Sequence, residues 1–324
     1  MEIKKFIKLA NNFGKQNIPF LFLLDFEMEK PFLCKLSKSS KLGYLYNIKN
    51  KMSVSNNISE IKSDKIIESI PIAKIKYTQA FNLVMDNLQA GNTYLLNLTF
   101  PSEIKTRMSL KDIFYYSNAP YKFCHPDKFV IFSPECFIRI KNNFIYSYPM
   151  KGTIDASIPD ARDKILQNEK ETREHNTIVD LIRNDLSMVS SNVSVTKYRY
   201  IDKIETNKNQ LLQVSSEIRG ELDDDWRNKI GNILYKLLPA GSISGAPKHK
   251  TIEIIKQAEK QKRGYYTGIF GVFDGHELDS AVNIRYIEKI NDRLQFRSGG
   301  GITAMSKLEE EYKEMLEKIY VPLG

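Results

Sequence analysis

The stretch Tyr148-Pro149-Met150-Lys151-Gly152-Thr153 places one lysine directly after an alternating, strand-like run over residues 144–148. A second strand-like run, residues 129–132, leads to Glu135. This pattern predicts a hairpin with the lysine on a tight turn and the glutamate on the neighbouring strand. An amine beside a carboxylate is suited to nucleophilic catalysis by the amine. The pattern leaves open the alternative of a cross-strand Lys–Glu pair on a solvated sheet face.

The size and composition are those of a soluble globular protein. The chain has 324 residues, of which 42% are hydrophobic and 27% charged, and it is long enough to bury a large core. No apolar run reaches the length of a membrane span, and the N-terminus lacks a secretory pattern, so a cytoplasmic location is expected. The three cysteines (Cys34, Cys124 and Cys136) are odd in number and lack metal-site spacing. They predict neither a disulfide framework nor a zinc site.

The net charge of +9 has three interpretations. The lysines are dispersed along a chain rich in Lys, Asn and Ile, which favours general amino-acid bias. Attraction of a small anionic ligand is the second interpretation. A basic nucleic-acid-binding protein is the third, but no stretch interleaves basic and aromatic residues as such a surface requires.

Apolar periodicity predicts a mixture of antiparallel strands and a few long helices, which is an α+β fold. Helices are predicted over 74–90, where Gly91 supplies a stop, and over 160–188, 225–238, 248–262 and 306–320. Strands are predicted at 18–25, through 93–148, and at 193–203, 211–221, 265–273, 279–288 and 293–298.

Two of these helices place glutamates where an inward face should be. Glu174 shares a helix face with Ile178 and Leu181, and Glu171 lies one turn earlier. On the final helix, Glu311 and Glu314 flank the apolar stripe.

Inward carboxylates must be paired or bound to a cation, because burying a bare charge is costly. The two Glu-x-x-Glu pairs could hold one hard cation through oxygen ligands, and Mg²⁺ is the natural candidate. The alternative is a pair of solvated helix faces, since Glu314 and Lys318 have the i,i+4 spacing of an ion pair.

Two glycine-rich segments could bring backbone N–H groups to an anion. The segment 241–248 places Pro247 at a plausible first helical position, which predicts a helix N-terminus open to a carboxylate or phosphate. Gly299-Gly300-Gly301 is predicted to lie between a strand and the final helix. Each segment could equally be an ordinary turn.

Further motifs occur at residues 90–98, Ser133-Pro134-Glu135, 149–153, 174–185, 241–248, 263–268, Ile284-Arg285, the triple glycine, and 311–314 with Lys318. Through these motifs the chain, from about residue 71 to 324, resembles the chorismate-utilising enzymes, which include the anthranilate, aminodeoxychorismate, isochorismate and salicylate synthases. The resemblance implies an α+β fold of two large antiparallel sheets packed face to face, with helices outside. It also implies one catalytic domain over 1–324, with a shortened N-terminal segment, 1–70, before the core.

The resemblance assigns roles to residues. Lys151 would be the catalytic nucleophile and Glu135 the general acid and base. Glu174 and Glu314 would ligate Mg²⁺, with Glu171 and Glu311 supporting through water, and the metal would hold the ring carboxylate of chorismate. Tyr266, Arg285 and the backbone near Gly300 and Gly301 would hold the enolpyruvyl carboxylate. The full set of substrate-binding residues implied is Gly152, Thr153, Gln213, Ser242, Gly245, Tyr266, Arg285, Gly300, Gly301 and Lys318.

A few positions distinguish the members of the family. Lys151 resembles the aminodeoxychorismate synthases, Leu95 replaces the water-activating lysine of isochorismate-forming members, and Gln213 replaces a histidine of anthranilate synthase. The resemblance therefore implies amination of chorismate at carbon 4, with anthranilate synthase component I as the alternative. Residues 154–156 and Leu95 depart from the pattern of the aminating enzymes.

The same resemblance implies two further proteins. A separate glutamine amidotransferase subunit would supply ammonia, because no segment of the sequence looks like an amidotransferase with a nucleophilic cysteine. A separate lyase would release 4-aminobenzoate on the route to folate.

Overall fold

The computed structural model describes residues 1–49, 51–53, 67–205 and 210–322. Its strands are β1 (Phe20–Leu24), β2 (Phe32–Lys35), β3 (Leu45–Ile48), β4 (Lys51–Met52), β5 (Glu68–Ile70), β6 (Leu95–Lys105), β7 (Tyr121–His125), β8 (Phe129–Ser133), β9 (Cys136–Lys141), β10 (Phe144–Ser147), β11 (Met150–Asp155), β12 (Ser191–Glu205), β13 (Gln210–Glu221), β14 (Gly245–Ala246), β15 (Ile269–Phe273), β16 (Leu278–Val282), β17 (Tyr286–Ile290) and β18 (Arg293–Ile302). Its helices are α1 (Ile3–Lys15), α2 (Lys74–Gln89), α3 (Leu110–Tyr116), α4 (Ala161–Gln167), α5 (Glu169–Ser187), α6 (Ile230–Leu237), α7 (Gly241–Ser244), α8 (Lys248–Glu259) and α9 (Leu308–Glu317), with 3-10 turns at Leu36–Lys38, Ser40–Leu42 and Trp226–Lys229.

The strands form two large antiparallel sheets, which confirms the predicted α+β fold. In the first sheet the order is β11-β13-β10-β9-β16-β15-β1-β2, and β12 also pairs with β13. In the second the order is β14-β6-β18-β17-β8-β7-β3-β4, and β5 also pairs with β6. Strands from the first 53 residues therefore extend both sheets.

Strand β1 shows why the two sheets stack with helices outside. All five of its residues are buried, and successive side chains of a strand point to opposite faces. Leu21 and Leu23 join the apolar cluster that includes Phe123 of the second sheet. On the other face Phe22 packs against Phe6 of α1, with ring centroids 6.5 Å apart. A strand buried on both faces reads as a continuous apolar run, as predicted for 18–25.

The helix predictions are confirmed in place, with two divisions. The helix predicted over 225–238 begins with the 3-10 turn Trp226–Lys229 and continues as α6. Helix α3, in contrast, lies within the span 93–148, for which only strands were predicted. Helix α2 ends at Gln89, and Gly91 has a φ of +71°, the left-handed conformation that glycine adopts after a helix. The single helix predicted over 160–188 is instead two helices, α4 and α5. The break is at Asn168, whose side chain accepts a hydrogen bond from the Glu171 N–H at 3.1 Å and so caps α5.

Three predictions about strands and turns are wrong. Residues 129–132 and 144–148 do not form a hairpin, because β8 lies in the second sheet and β10 in the first. The strand predicted over 279–288 is two strands in different sheets, β16 and β17. The triple glycine is the end of β18, paired with Thr99, Leu98 and Asn97 of β6, and is not a connection to the final helix.

The turn predictions at Lys151 and Pro247 also need correction. Lys151 lies within β11, whose register with β13 shifts between Met150 and Thr153. Gly152 at this bulge has a φ of +84°, which a residue with a side chain adopts only under strain. Pro247 is the N-cap of α8 and not its first helical residue.

None of the helices in the described residues combines the length and the apolar character needed to cross a bilayer.

Candidate active site

The site lies where the chain crosses from one sheet to the other. Glu135 follows β8 and precedes β9, and Arg285 lies between β16 and β17. The Glu135 carbonyl accepts a hydrogen bond from the Val282 N–H at 3.1 Å, and the Arg285 carbonyl accepts one from the Phe132 N–H at 3.0 Å. These bonds hold the two crossovers side by side, so the fold brings a carboxylate and a guanidinium to the same region.

A cavity of about 220 Å³ opens at this junction. It is lined by residues from both sheets and from α5 and α7. Eight of the residues predicted from the sequence line it: Glu135, Lys151, Ser242, Gly245, Tyr266, Arg285, Gly301 and Lys318. Leu95, one of the departures from the family pattern, also lines it.

Lys151 reaches a carboxylate from α5. Its Nζ donates to Glu174 Oε2 at 2.5 Å. Burial by itself would lower the pKa of Lys151, but the negative charge of Glu174, with that of Glu171 and Glu314, raises this pKa above the ordinary lysine value. The amine is therefore charged while it is paired with Glu174, whereas a nucleophilic lysine must be neutral.

Glu135 places a carboxyl group near two positively charged lysines. Its Oε1 accepts a hydrogen bond from the Ser242 hydroxyl at 2.7 Å. Burial raises the pKa of Glu135 above the usual glutamate value, against the opposing effects of the Ser242 hydrogen bond and the positive charges of Lys151 and Lys318. A carboxyl that keeps its proton to higher pH is suited to general-acid catalysis.

Four carboxylates from α5 and α9 gather beside the cavity. Glu311 is buried and accepts a hydrogen bond from the Ser306 hydroxyl at 2.7 Å. A Cβ added to Gly300 would lie 3.4 Å from Glu311 Oε2 and 3.5 Å from Glu314 Oε1, so the glycine gives both carboxylates room against β18. The pKa of Glu171 and that of Glu311 are raised, mainly by burial and further by neighbouring carboxylates, which include Glu174 in both cases.

Lysines supply the positive charge at these carboxylates. Lys151 pairs with Glu174, and Lys318 Nζ lies 2.6 Å from Glu314 Oε1. The i,i+4 pair left open by the sequence is thus present. No three carboxylate, histidine or cysteine side chains of the described residues lie close enough to form a ready-made metal site. Carboxylate oxygens are nevertheless the donors that Mg²⁺ takes, and this ion keeps several of its own waters, so the donor set fits it.

Four of the predicted substrate-binding residues do not line the cavity. Gly152 and Gly300 lie against the carboxylates instead: a Cβ added to Gly152 would be 3.3 Å from Glu171 Oε2. Thr153 and Gln213 face one another in the pairing of β11 with β13, and Thr153 is exposed.

Arg285 of the second crossover and Tyr266, which lies just before β15, line the same cavity. The Arg285 Nη1 donates to the Lys318 carbonyl, and its guanidinium lies 4.4 Å from the centre of the Tyr320 ring. Among the described residues no carboxylate forms an ion pair with Arg285, so its charge is available to an anionic ligand. Burial raises the pKa of Tyr266 to about 12, so this phenol stays neutral and can donate a hydrogen bond.

Sequence reasoning assigned no role to three polar residues that line the cavity, Asn97, Arg297 and Ser298. The only signal for Arg297 was its place two residues before the triple glycine in an alternating run, where its side chain falls on the same strand face as Gly299 and Gly301.

Residues 43–324 match the chorismate binding enzyme family, so the chain belongs to that family of enzymes acting on chorismate. This confirms the resemblance found in the sequence.

Three relatives show how far the similarity extends. An uncharacterized PabA-like protein of Pasteurella multocida is 52% identical over 324 residues, covering all of both chains. Aminodeoxychorismate synthase component 1 of Bacillus subtilis is 29% identical over 269 residues, which cover 77% of this chain and 55% of that protein. The crystal structure of anthranilate synthase component I from Streptococcus pneumoniae superposes with a TM-score of 0.72 at 22% identity, covering 92% of this chain and 79% of the other. At that identity the superposition supports the fold alone.

Proposed function

We propose that the chain is the chorismate-aminating subunit of an aminodeoxychorismate synthase. It would convert chorismate and ammonia to 4-amino-4-deoxychorismate, on the route to 4-aminobenzoate and folate. The observation that supports this most directly is that the amine of Lys151 and the carboxyl of Glu135, whose pKa burial raises, line one cavity. The similarity to the Bacillus subtilis enzyme named above points to the same reaction.

The chemistry would take two displacements. The neutral amine of Lys151 forms a bond to ring carbon 2, both conjugated ring double bonds shift, and the hydroxyl on carbon 4 leaves as water with a proton from Glu135. The Glu135 carboxylate then takes the extra proton from the lysine nitrogen. Ammonia then forms a bond to carbon 4, both double bonds shift back, and the bond from carbon 2 to Lys151 breaks. The proton that ammonia loses goes to the departing lysine nitrogen, with Glu135 as the group that can relay it.

Before the first displacement Lys151 must leave Glu174 and lose its proton, because a paired and charged lysine has no free electron pair. Mg²⁺ would be held by Glu174 and Glu314, with Glu171 and Glu311 behind them through water. When bound, the ion would supply positive charge to these carboxylates and to the ring carboxylate of the substrate. Arg285 and Tyr266 would bind the second carboxylate at the other end of the cavity.

Mass spectrometry of the product tests this function. The purified chain is incubated with chorismate, Mg²⁺ and an ammonium salt, and the expected product has an amino group in place of a hydroxyl with the enolpyruvyl group retained. Release of pyruvate with formation of 2-aminobenzoate would instead identify an anthranilate synthase. Unchanged chorismate under these conditions would overturn the proposal.

A further inference from the structure

Arg297 is a buried arginine whose hydrogen bonds are incomplete. Its side chain is 7% exposed, and its Nε lies 2.5 Å from Glu288 Oε1. Its Nη1 is buried and has no hydrogen-bond partner among the described residues. A guanidinium has five N–H donors, and leaving one buried without an acceptor costs free energy. Buried polar groups in native proteins are nearly always paired. Arg297 lines the cavity, so its orphaned donor lacks an acceptor that a ligand would supply.

The position of Arg297 places it at the arginine end of the cavity. In the pairing of β17 with β18, Arg297 lies opposite Tyr286, the residue after Arg285. The two arginines both line the cavity, and the positive charges of both act to lower the pKa of Tyr266. Arg285, Arg297 and Tyr266 are therefore grouped, and none of the four carboxylates beside Gly300 is among the groups that shift the pKa of Arg285.

Glu288 holds Arg297 in place and neutralises its charge. Its Oε1 bonds Arg297, and its Oε2 accepts a hydrogen bond from the Tyr286 hydroxyl at 3.3 Å. Glu288 does not line the cavity. It can therefore hold the guanidinium of Arg297 in place without lying next to an anion bound in the cavity and repelling it. Arg297 thus offers oriented N–H donors, while Arg285, which has no carboxylate partner among the described residues, offers net positive charge.

We propose that Arg297 is a second guanidinium contact for the enolpyruvyl carboxylate of the substrate, beside Arg285. This rests on the proposed function in one respect, namely that the ring must lie against Lys151. The ring carboxylate is attached to carbon 1, the neighbour of the carbon that Lys151 attacks, so it lies at the Lys151 end of the cavity. The enolpyruvyl carboxylate ends a side chain of three atoms and can reach the arginine end, where the orphaned donor lies. The pair of arginines makes that carboxylate a requirement for binding.

Direct binding measurements test the contact without requiring amination. Isothermal titration compares two ligands, chorismate and the ring diol carboxylate that lacks the enolpyruvyl group, against the wild-type chain and Arg297→Gln. A hydrogen bond to a charged group is worth on the order of ten- to a hundredfold in affinity. We expect Arg297→Gln to lose this factor for chorismate and to bind the diol as the wild type does.

Two further variants serve as controls for unfolding and for the general loss of a positive charge. Arg297→Gln leaves Glu288, whose side chain is 15% exposed, without its charged partner. The double variant Arg297→Gln/Glu288→Gln therefore removes both charges and is measured in parallel if the single variant unfolds. Arg293→Gln changes an exposed arginine on the same strand, paired with Glu103, and should leave both affinities unchanged. Equal losses for chorismate and the diol, or no loss for either, would overturn the role of Arg297. If the chain binds chorismate but forms no aminated product, the proposed function fails while this contact can still be judged.

Discussion

Glu135 should titrate at higher pH than an ordinary glutamate, and Ser242 should limit the increase. Burial raises the pKa of Glu135, whereas the Ser242 hydrogen bond lowers it. Ser242→Ala should therefore move this pKa further upward, as measured by ¹³C NMR titration of the carboxyl with Glu135→Gln to assign the resonance. A pKa in Ser242→Ala that is equal to or below that of the wild type would contradict the interpretation.

The raised pKa of Glu135 also determines how the free energy of unfolding changes with pH. Because the pKa of Glu135 is raised on folding, its contribution to stability is fully present below the ordinary glutamate pKa and is lost as pH rises through the raised value. Glu135→Gln should lack this loss, so the free energy of unfolding of the variant should decline less than that of the wild type over this window.

Lys151 is predicted to be a covalent nucleophile and not only a charge that orients the substrate. Arginine could keep the ion pair with Glu174 but stays protonated, so Lys151→Arg should reduce amination by roughly a hundredfold or more while the protein stays folded. Without ammonia, the wild-type chain with chorismate and Mg²⁺ should gain the mass of chorismate less one water, mapped to Lys151 by peptide digestion. Near-normal amination by Lys151→Arg together with an adduct-free wild type would favour direct attack by ammonia.

At the scale of elements, the break between α4 and α5 is where the carboxylate-bearing helix begins. Asn168 caps α5 through the Glu171 N–H, and loss of such a cap costs about 1 kcal/mol. We expect Asn168→Ala to lose about that much free energy of unfolding in urea titrations, and Asn168→Asp to lose much less, since aspartate also caps. An equal loss in both variants would show that the side chain acts in another way.

Helices with a strong apolar periodicity could be predicted from the sequence. The assignment of each strand to one of the two sheets could not. The apolar spacing of α2, with Tyr77 and Val84 fully buried, is a local signal. Nothing local indicates that β8 and β9 belong to different sheets, because strand partners are distant in sequence: Ile302 of β18 pairs with Leu96 of β6. The glycines of β18 suggested a loop because glycine is usually found there, yet here they let the strand approach its neighbours closely.

In the site, too, residues that belong to local motifs could be predicted from the sequence, whereas contacts between distant elements could not. The motifs placed Lys151 and Glu135, which do line one cavity, because resemblance transfers residue by residue. The contact between Lys151 and Glu174 joins a strand to a helix and has no sequence signature. Arg297 was missed since a single arginine in an alternating strand is usually solvated, and only the packing of two sheets reveals its burial.

At the scale of the whole molecule, the carboxylates of α5 and α9 should make turnover depend on Mg²⁺. Glu174→Ala should abolish amination at saturating chorismate and Mg²⁺, because it removes a ligand without opening a large cavity, and thermal unfolding should show that the chain still folds. Glu310→Ala on α9 is a matched control, since this glutamate is exposed and pairs with Lys307. Metal-dependent activity retained by Glu174→Ala would place the metal elsewhere.

The chain should use ammonium salts but not glutamine as its nitrogen source. Amide hydrolysis by a glutamine amidotransferase needs a thiolate, and the thiolate fraction falls as the thiol pKa rises. Burial raises the pKa of Cys34 to about 11 and that of Cys124 and Cys136 to about 12, so all three cysteines of the sequence are protonated at neutral pH. With amide-¹⁵N-glutamine as the only nitrogen source, the purified chain should form no labelled product, and unlabelled ammonium chloride should restore amination. Adding a separate glutamine amidotransferase subunit should bring the label into the product. Efficient labelling by this chain alone would refute the need for such a partner.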